Sequence, residues 1–123
     1  MTLAFWCVFI AALLPYVPFG LTSRLLDPKT PRQGVPKLEG LPARAHGAHL
    51  NAFEAFPPFA AAVIISHIVQ GASGLVNGLA VLFIVARLAH MGFYLSDRQP
   101  LRSASFFVGL IVVVVIFVQT AFH

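Results

Sequence analysis

Four separate apolar runs, each close to the length of a bilayer crossing, constrain this chain more than any other feature. They cover residues 2–19, roughly 45–69, 75–95 and 103–122, and an α-helix needs ~20 apolar residues to cross ~30 Å of hydrocarbon. Only 10% of the residues are charged and 59% are apolar, whereas a soluble domain carries about 25% charged residues. A water-soluble core cannot hide that much hydrocarbon. In lipid the backbone must satisfy its own hydrogen bonds, as helices or as a closed barrel, and runs such as FFVGLIVVVVIFV lack the alternation of a barrel strand. The predicted fold class is therefore all-α, an integral membrane four-helix up-down bundle forming a single membrane domain over residues 1–123.

The first run has no basic stretch before it and no small-residue cleavage site, so it reads as a retained span rather than a signal peptide. Arg24, Lys29, Arg32, Lys37 and Arg44 fall in or beside the first loop, residues 21–44, and Arg98 and Arg102 in or beside the third. The second loop, QGASGLVN, has no basic residue. By the positive-inside rule, loops one and three face the cytoplasm and both termini lie on the far, periplasmic side of what the short loops suggest is a bacterial inner membrane. The net charge of +4 belongs to those loops. It points to anionic membrane lipid rather than nucleic acid, because no aromatic residues interleave the basic ones. Cys7 is the only cysteine and lies inside the first run, which excludes an intrachain disulfide.

Four prolines and two glycines in the first loop oppose regular helix and predict an extended surface segment, long enough to lie over the cytoplasmic mouth of the bundle. The short second and third loops make successive helices antiparallel neighbours. Pro57 and Pro58, about halfway along the second run, remove helical hydrogen bonds and predict a bend next to Glu54.

Ionisable side chains at bilayer depth cost ~2.5 to 3.5 kcal/mol or more, and they belong against protein or water. Glu54 and Arg87 lie about 15 Å and 12 Å along their helices from the same Arg-rich end, which predicts a buried ion pair between the second and third spans. Arg44, Asn51 and Glu54 fall within about 60° of one another around a helix, and Arg87, His90 and Tyr94 form a second stripe at i, i+3 and i+7. Two polar stripes on consecutive helices imply a shared polar cleft, serving either as structural glue or as a ligand site. No metal site is expected: the His46 and His49 pair supplies only half a site, and His67 is too deep to join Glu54 and His90. Motifs for hydrolase, nucleotide-binding and thiol-redox chemistry are absent.

The stretch RAHGAHLNAFEAFPPF from Arg44 to Phe59, with Asn51, Glu54, Phe56 and Pro57 in order, resembles the second-helix signature of the MAPEG family, the membrane-associated proteins in eicosanoid and glutathione metabolism. Arg87-Leu-Ala-His90-Met-Gly-Phe-Tyr94-Leu, followed by Pro100-Leu-Arg102-Ser103, is similar to the family's third- and fourth-helix signature. The resemblance spans roughly residues 40 to 110 and implies a homotrimer whose clefts between protomers hold glutathione. It assigns Arg44, Asn51, Glu54, Arg87, His90 and Tyr94 to glutathione binding, and it assigns catalysis to Arg102, which would stabilise the thiolate, with Ser103 beside it. The implied activity is a glutathione-dependent transferase or peroxidase acting on a hydrophobic small-molecule electrophile from the bilayer; the alternative is a non-catalytic trimer binding lipid or a partner in a larger membrane assembly.

A free thiol titrates near pH ~8.5, and a guanidinium against the sulfur favours the nucleophilic thiolate. The chain departs from other members at Gly47 and Leu50, which stand where family enzymes carry arginines. His46 and His49 are the nearest substitutes for those clamps, without a fixed charge at neutral pH. The spacing from Tyr94 to Arg102 is intermediate between those of other members.

Overall fold

A computed structural model describes the whole chain, Met1–His123. It is all helical: α1 (Leu3–Leu13), α2 (Tyr16–Phe19), α3 (Gly40–Gln70), α4 (Gly74–Leu95) and α5 (Gln99–Ala121), with 3₁₀ turns at Ser23–Leu25 and Pro31–Lys37. α3, α4 and α5 are each long and apolar enough to cross a membrane, and Leu3–Phe19 is a shorter apolar segment. The first apolar run is split because Pro15 and Pro18 have no N–H to donate, so α1 stops at Leu13 and α2 is a separate short turn. α3, in contrast, continues through Pro57 and Pro58 as one helix of 31 residues.

Small residues at heptad spacing set the packing. On α3 the buried positions Ala45, Ala48, Ala52, Phe59, Ala62 and Ser66 repeat at steps of three, four or seven residues. Val76, Ala80, Phe83, Arg87 and His90 do the same on α4, and Ser105, Gly109, Val112 and Ile116 on α5. Lipid is as apolar as leucine, so helices in a bilayer associate through close packing, which alanine and glycine permit. The rings of Phe59 and Phe83 stack at the centre, with centroids 3.9 Å apart. α1 and α5 each pack on both α3 and α4, and large apolar side chains such as Leu88, Ile111 and Val114 point outward.

Turn chemistry brings the chain back at each end. Gly71, at φ 76°, closes α3, and the Ser73 side chain accepts from the Val76 N–H to start α4. Asp97, at φ 60°, ends α4, where the Arg98 N–H bonds the Phe93 carbonyl at 2.9 Å. α5 starts at once, with Pro100 in its first turn. This tight reversal carries Arg102 back beside the last turn of α4.

The first loop folds into turns rather than the expected extended segment. Thr22 and Leu26 are buried, Asp27 Oδ1 accepts from the Lys29 N–H at 2.9 Å, and Gly34 lets the Pro31–Lys37 turn lie close on Leu26. The loop does not cover the cleft mouth. It packs beside the α3 face carrying His46, His49 and Phe53, about 140–160° around the helix from Asn51.

Candidate functional site

The polar groove at the Arg-rich end is built by α3, α4 and the start of α5. Asn51, His90, Tyr94, Arg102 and Ser103 line a cavity of about 260 Å³ together with Phe106 and Phe107. A second cavity of about 190 Å³ continues deeper past Asn51, Glu54, Arg87 and Phe106. Asn51 and Phe106 belong to both, so the two form one groove with a polar mouth and an apolar inner part.

Arg87 is 4% exposed, and its Nη2 donates to Asn51 Oδ1. The predicted ion pair with Glu54 is absent. Glu54 is exposed on the outer side of the inner cavity, about 60° around α3 from Asn51. The rotation of α3 against α4 turns the amide, not the carboxylate, to the guanidinium. A guanidinium has five N–H donors, and this single bond leaves Arg87 with donor capacity in the groove.

His90 is 3% exposed, and its Nδ1 has no hydrogen-bond partner. Buried polar atoms are nearly always paired, so an orphan of this kind calls for a specific reason. The guanidinium of Arg102 lies over the Tyr94 ring, 4.5 Å from its centroid, and that ring meets His90 edge to face at 5.7 Å. This stacking holds a fixed positive charge at the mouth by a cation–π contact, without neutralising it.

Tyr94 also explains one departure from other members. A Cβ on Gly47 would lie 2.7 Å from Tyr94 Cζ, so no larger side chain fits there while the phenol holds this position. Leu50 borders a different cavity, with His46 and His49, so the two histidines do not replace the missing arginines in the groove.

Of the residues singled out in the sequence, Asn51, Glu54, Arg87, His90, Tyr94, Arg102 and Ser103 line the groove. Arg44 does not. Its Nε donates to the Leu95 carbonyl at 3.2 Å, closing the C-terminal end of α4, where a cation also suits the helix dipole. Phe106, Phe107, Pro58 and Gly109 were missed, although the small-residue seam Ser105–Gly109–Val112 marks the α5 face that meets Arg87.

These features define an integral membrane helical bundle with a charged, incompletely paired groove between its helices. The profile of the MAPEG family matches residues 3–122, nearly the whole chain, and the protein belongs to that family, which includes glutathione transferases and related proteins. Neither a curated protein nor a solved structure matches the chain significantly.

Proposed function

We propose that the protein is a glutathione-dependent transferase or peroxidase acting on hydrophobic electrophiles that arrive through the bilayer. The observation that carries this reading is the unspent hydrogen-bonding and charge capacity of one groove: Arg87, the orphaned His90 Nδ1 and the unneutralised Arg102 line connected cavities. Glutathione offers what these groups lack, with carboxylates and carbonyls for Arg87 and an acceptor or donor for His90. Its amine suits Glu54, and its thiolate suits Arg102. The apolar inner cavity beyond Phe106 gives a lipid-soluble acceptor room beside the sulfur.

The chemistry assigned to this chain's own residues is electrostatic. The thiol gives up its proton, the Arg102 guanidinium stabilises the sulfur anion, and Ser103 donates a hydrogen bond beside it. The proton leaves to water at the open mouth. In the transferase the anion forms a carbon–sulfur bond as the electrophile's leaving group departs with the bonding pair. In the peroxidase it attacks the terminal hydroperoxide oxygen, breaking the O–O bond to release the alcohol and leave a glutathione sulfenic acid, which a second glutathione converts to disulfide and water. Glu54, exposed at bilayer depth in a single chain, supports a homotrimer in which a neighbouring protomer closes the groove.

Arg102→Leu separates catalysis from lipid contact. The expected outcome is glutathione affinity within several fold of wild type and turnover of a test electrophile lowered roughly 10²-fold, the scale of one oriented electrostatic contact. The thiolate absorbance of the complex near neutral pH is expected to fall with it. Unchanged turnover and thiolate signal would mean that Arg102 only neutralises lipid phosphate. Native mass spectrometry in mild detergent tests the assembly, with a trimer mass expected and a monomer mass counting against it.

A further inference from the structure

The largest cavity in the molecule is not the groove. It measures about 640 Å³ and lies between the first loop and α3, within the range of small-molecule sites. We infer that this cavity binds a single-chain amphiphile with an anionic head, at a site separate from the groove.

Its walls are of two kinds. The roof is the 3₁₀ turn Pro31–Lys37, which contributes Pro31, Arg32 and Val35 and is supported from below by buried Leu26. The inner wall is α3, with His46 at the loop end and Leu50 and Phe53 one and two turns further into the span. Leu50 is 46% exposed and Phe53 40%, so the cavity opens sideways onto the outer face of α3 as well as under the loop. An acyl chain in the bilayer can therefore slide along α3 while its head stays beneath the loop.

The head end carries one fixed cation, Arg32, with His46 as a neutral hydrogen-bonding neighbour. Arg32 and His46 both line the cavity, and the loop around them carries five basic residues against Asp27 and Glu39. His49 is already committed. Its Nδ1–H donates to the Pro15 carbonyl at 2.6 Å, and its ring is packed against Phe19 and Phe53, with centroids 5.2 and 4.9 Å away. The carbonyl of Pro15 lies at the break between α1 and α2, so this bond fixes the wall of the cavity. Arg32 and His46 are then left to meet a carboxylate or phosphate.

Energetics decide which part of the ligand is selected. An acyl chain gains little by moving from lipid into an apolar cavity, because both surroundings exclude water. Selectivity must come from the head, through charge-assisted bonds to Arg32. Binding should depend strongly on head charge and weakly on chain length. A fatty acid and a lysophospholipid such as lysophosphatidylglycerol share this chemistry.

The test is photolabelling of the full-length protein in mild detergent with a diazirine-bearing palmitate, with labelled peptides located by mass spectrometry. Label is expected to concentrate in residues 26–35 and 46–53. Competition by palmitate alone identifies a fatty acid as the occupant, and competition by lysophosphatidylglycerol alone or by both identifies a headgroup phosphate or any anionic head. Hexadecanol, which has no charge, should compete at least tenfold less well. Arg32→Gln, at an exposed position, is expected to weaken labelling by tenfold or more, as loss of a hydrogen bond to a charged group does, and Val35→Trp to abolish it by filling the space. Label spread evenly over the outward helix faces, equal competition by hexadecanol, or no effect of Arg32→Gln would each overturn the proposal. Displacement by millimolar glutathione would overturn the separateness of the site. A wild-type protein that labels here but fails to bind glutathione would leave this site standing and remove the glutathione reading, because the cavity shares no lining residue with the groove.

Discussion

At the end of the bundle where Gly71 turns α3 into α4, polar side chains close on one another. Gln70 Nε2 donates to Ser66 Oγ at 2.6 Å and to Gln119 Oε1 at 3.2 Å, and Gln119 Nε2 donates to Thr120 Oγ1 at 2.8 Å. His67 Nδ1–H donates to the Val63 carbonyl, which leaves Nε2 to accept from the Thr2 hydroxyl, both at 2.8 Å. Asn77 Oδ1 accepts the Ala4 N–H at 3.0 Å, tying the start of α1 to α4. At the Arg-rich end the same four-helix framework leaves Arg87 with a single bond, His90 Nδ1 with none and Arg102 with only a tyrosine face. Polar groups that satisfy one another hold helices together; polar groups held apart in a cavity wait for a ligand. The difference supports reading one end as glue and the other as a candidate site within one bundle, which the residue types alone do not.

Substitutions at the two ends test that difference. Asn51→Leu is expected to have the largest effect on stability, about 1.5 to 3 kcal/mol, because it removes the one partner of a buried guanidinium. Denaturation in mixed micelles measures it, and a loss below about 0.5 kcal/mol would mean that Arg87 does not depend on Asn51. Gln119→Leu, at the closed end, should cost about 0.6 to 1.7 kcal/mol, the range for hydrogen bonds between membrane helices, with glutathione binding unchanged. Reduced glutathione affinity in Gln119→Leu would show that the two ends are coupled. Glu54→Gln should have the smallest effect on stability, within about 0.5 kcal/mol, because Glu54 forms no ion pair with Arg87. A loss of several kcal/mol there would restore an ion pair as the structural role of Glu54, made with a neighbouring protomer.

The all-helical membrane character was legible because the apolar runs are long; three of the four form helices long enough to span, and the first does not stay whole because Pro15 and Pro18 interrupt it. The groove was legible because charged residues at bilayer depth stand out in such a chain. The partner of Arg87 was not. Asn51 and Glu54 share a stripe, and a helix rotation of about 60° decides between them, which depends on how α3 seats on α4. Arg44 misled for a related reason: it falls on the correct stripe but lies level with the end of α4, where a free carbonyl is the nearer partner. The closed end escaped notice because Ser66, Gln70 and Gln119 carry no charge, although Ser66 and Gln70 are one helical turn apart and Gln119 lies at matching depth. The order of the first loop depends on Leu26 meeting Gly34, a contact that its proline content conceals.

The most direct measurement is isothermal titration of the detergent-purified protein with glutathione. Binding at about 1 mM or tighter, a free energy near −4 kcal/mol or better, is the expected result, retained in Gln119→Leu and weakened in Asn51→Leu. A folded protein that takes up glutathione in neither wild type nor Gln119→Leu would contradict the reading of the open groove as a glutathione site.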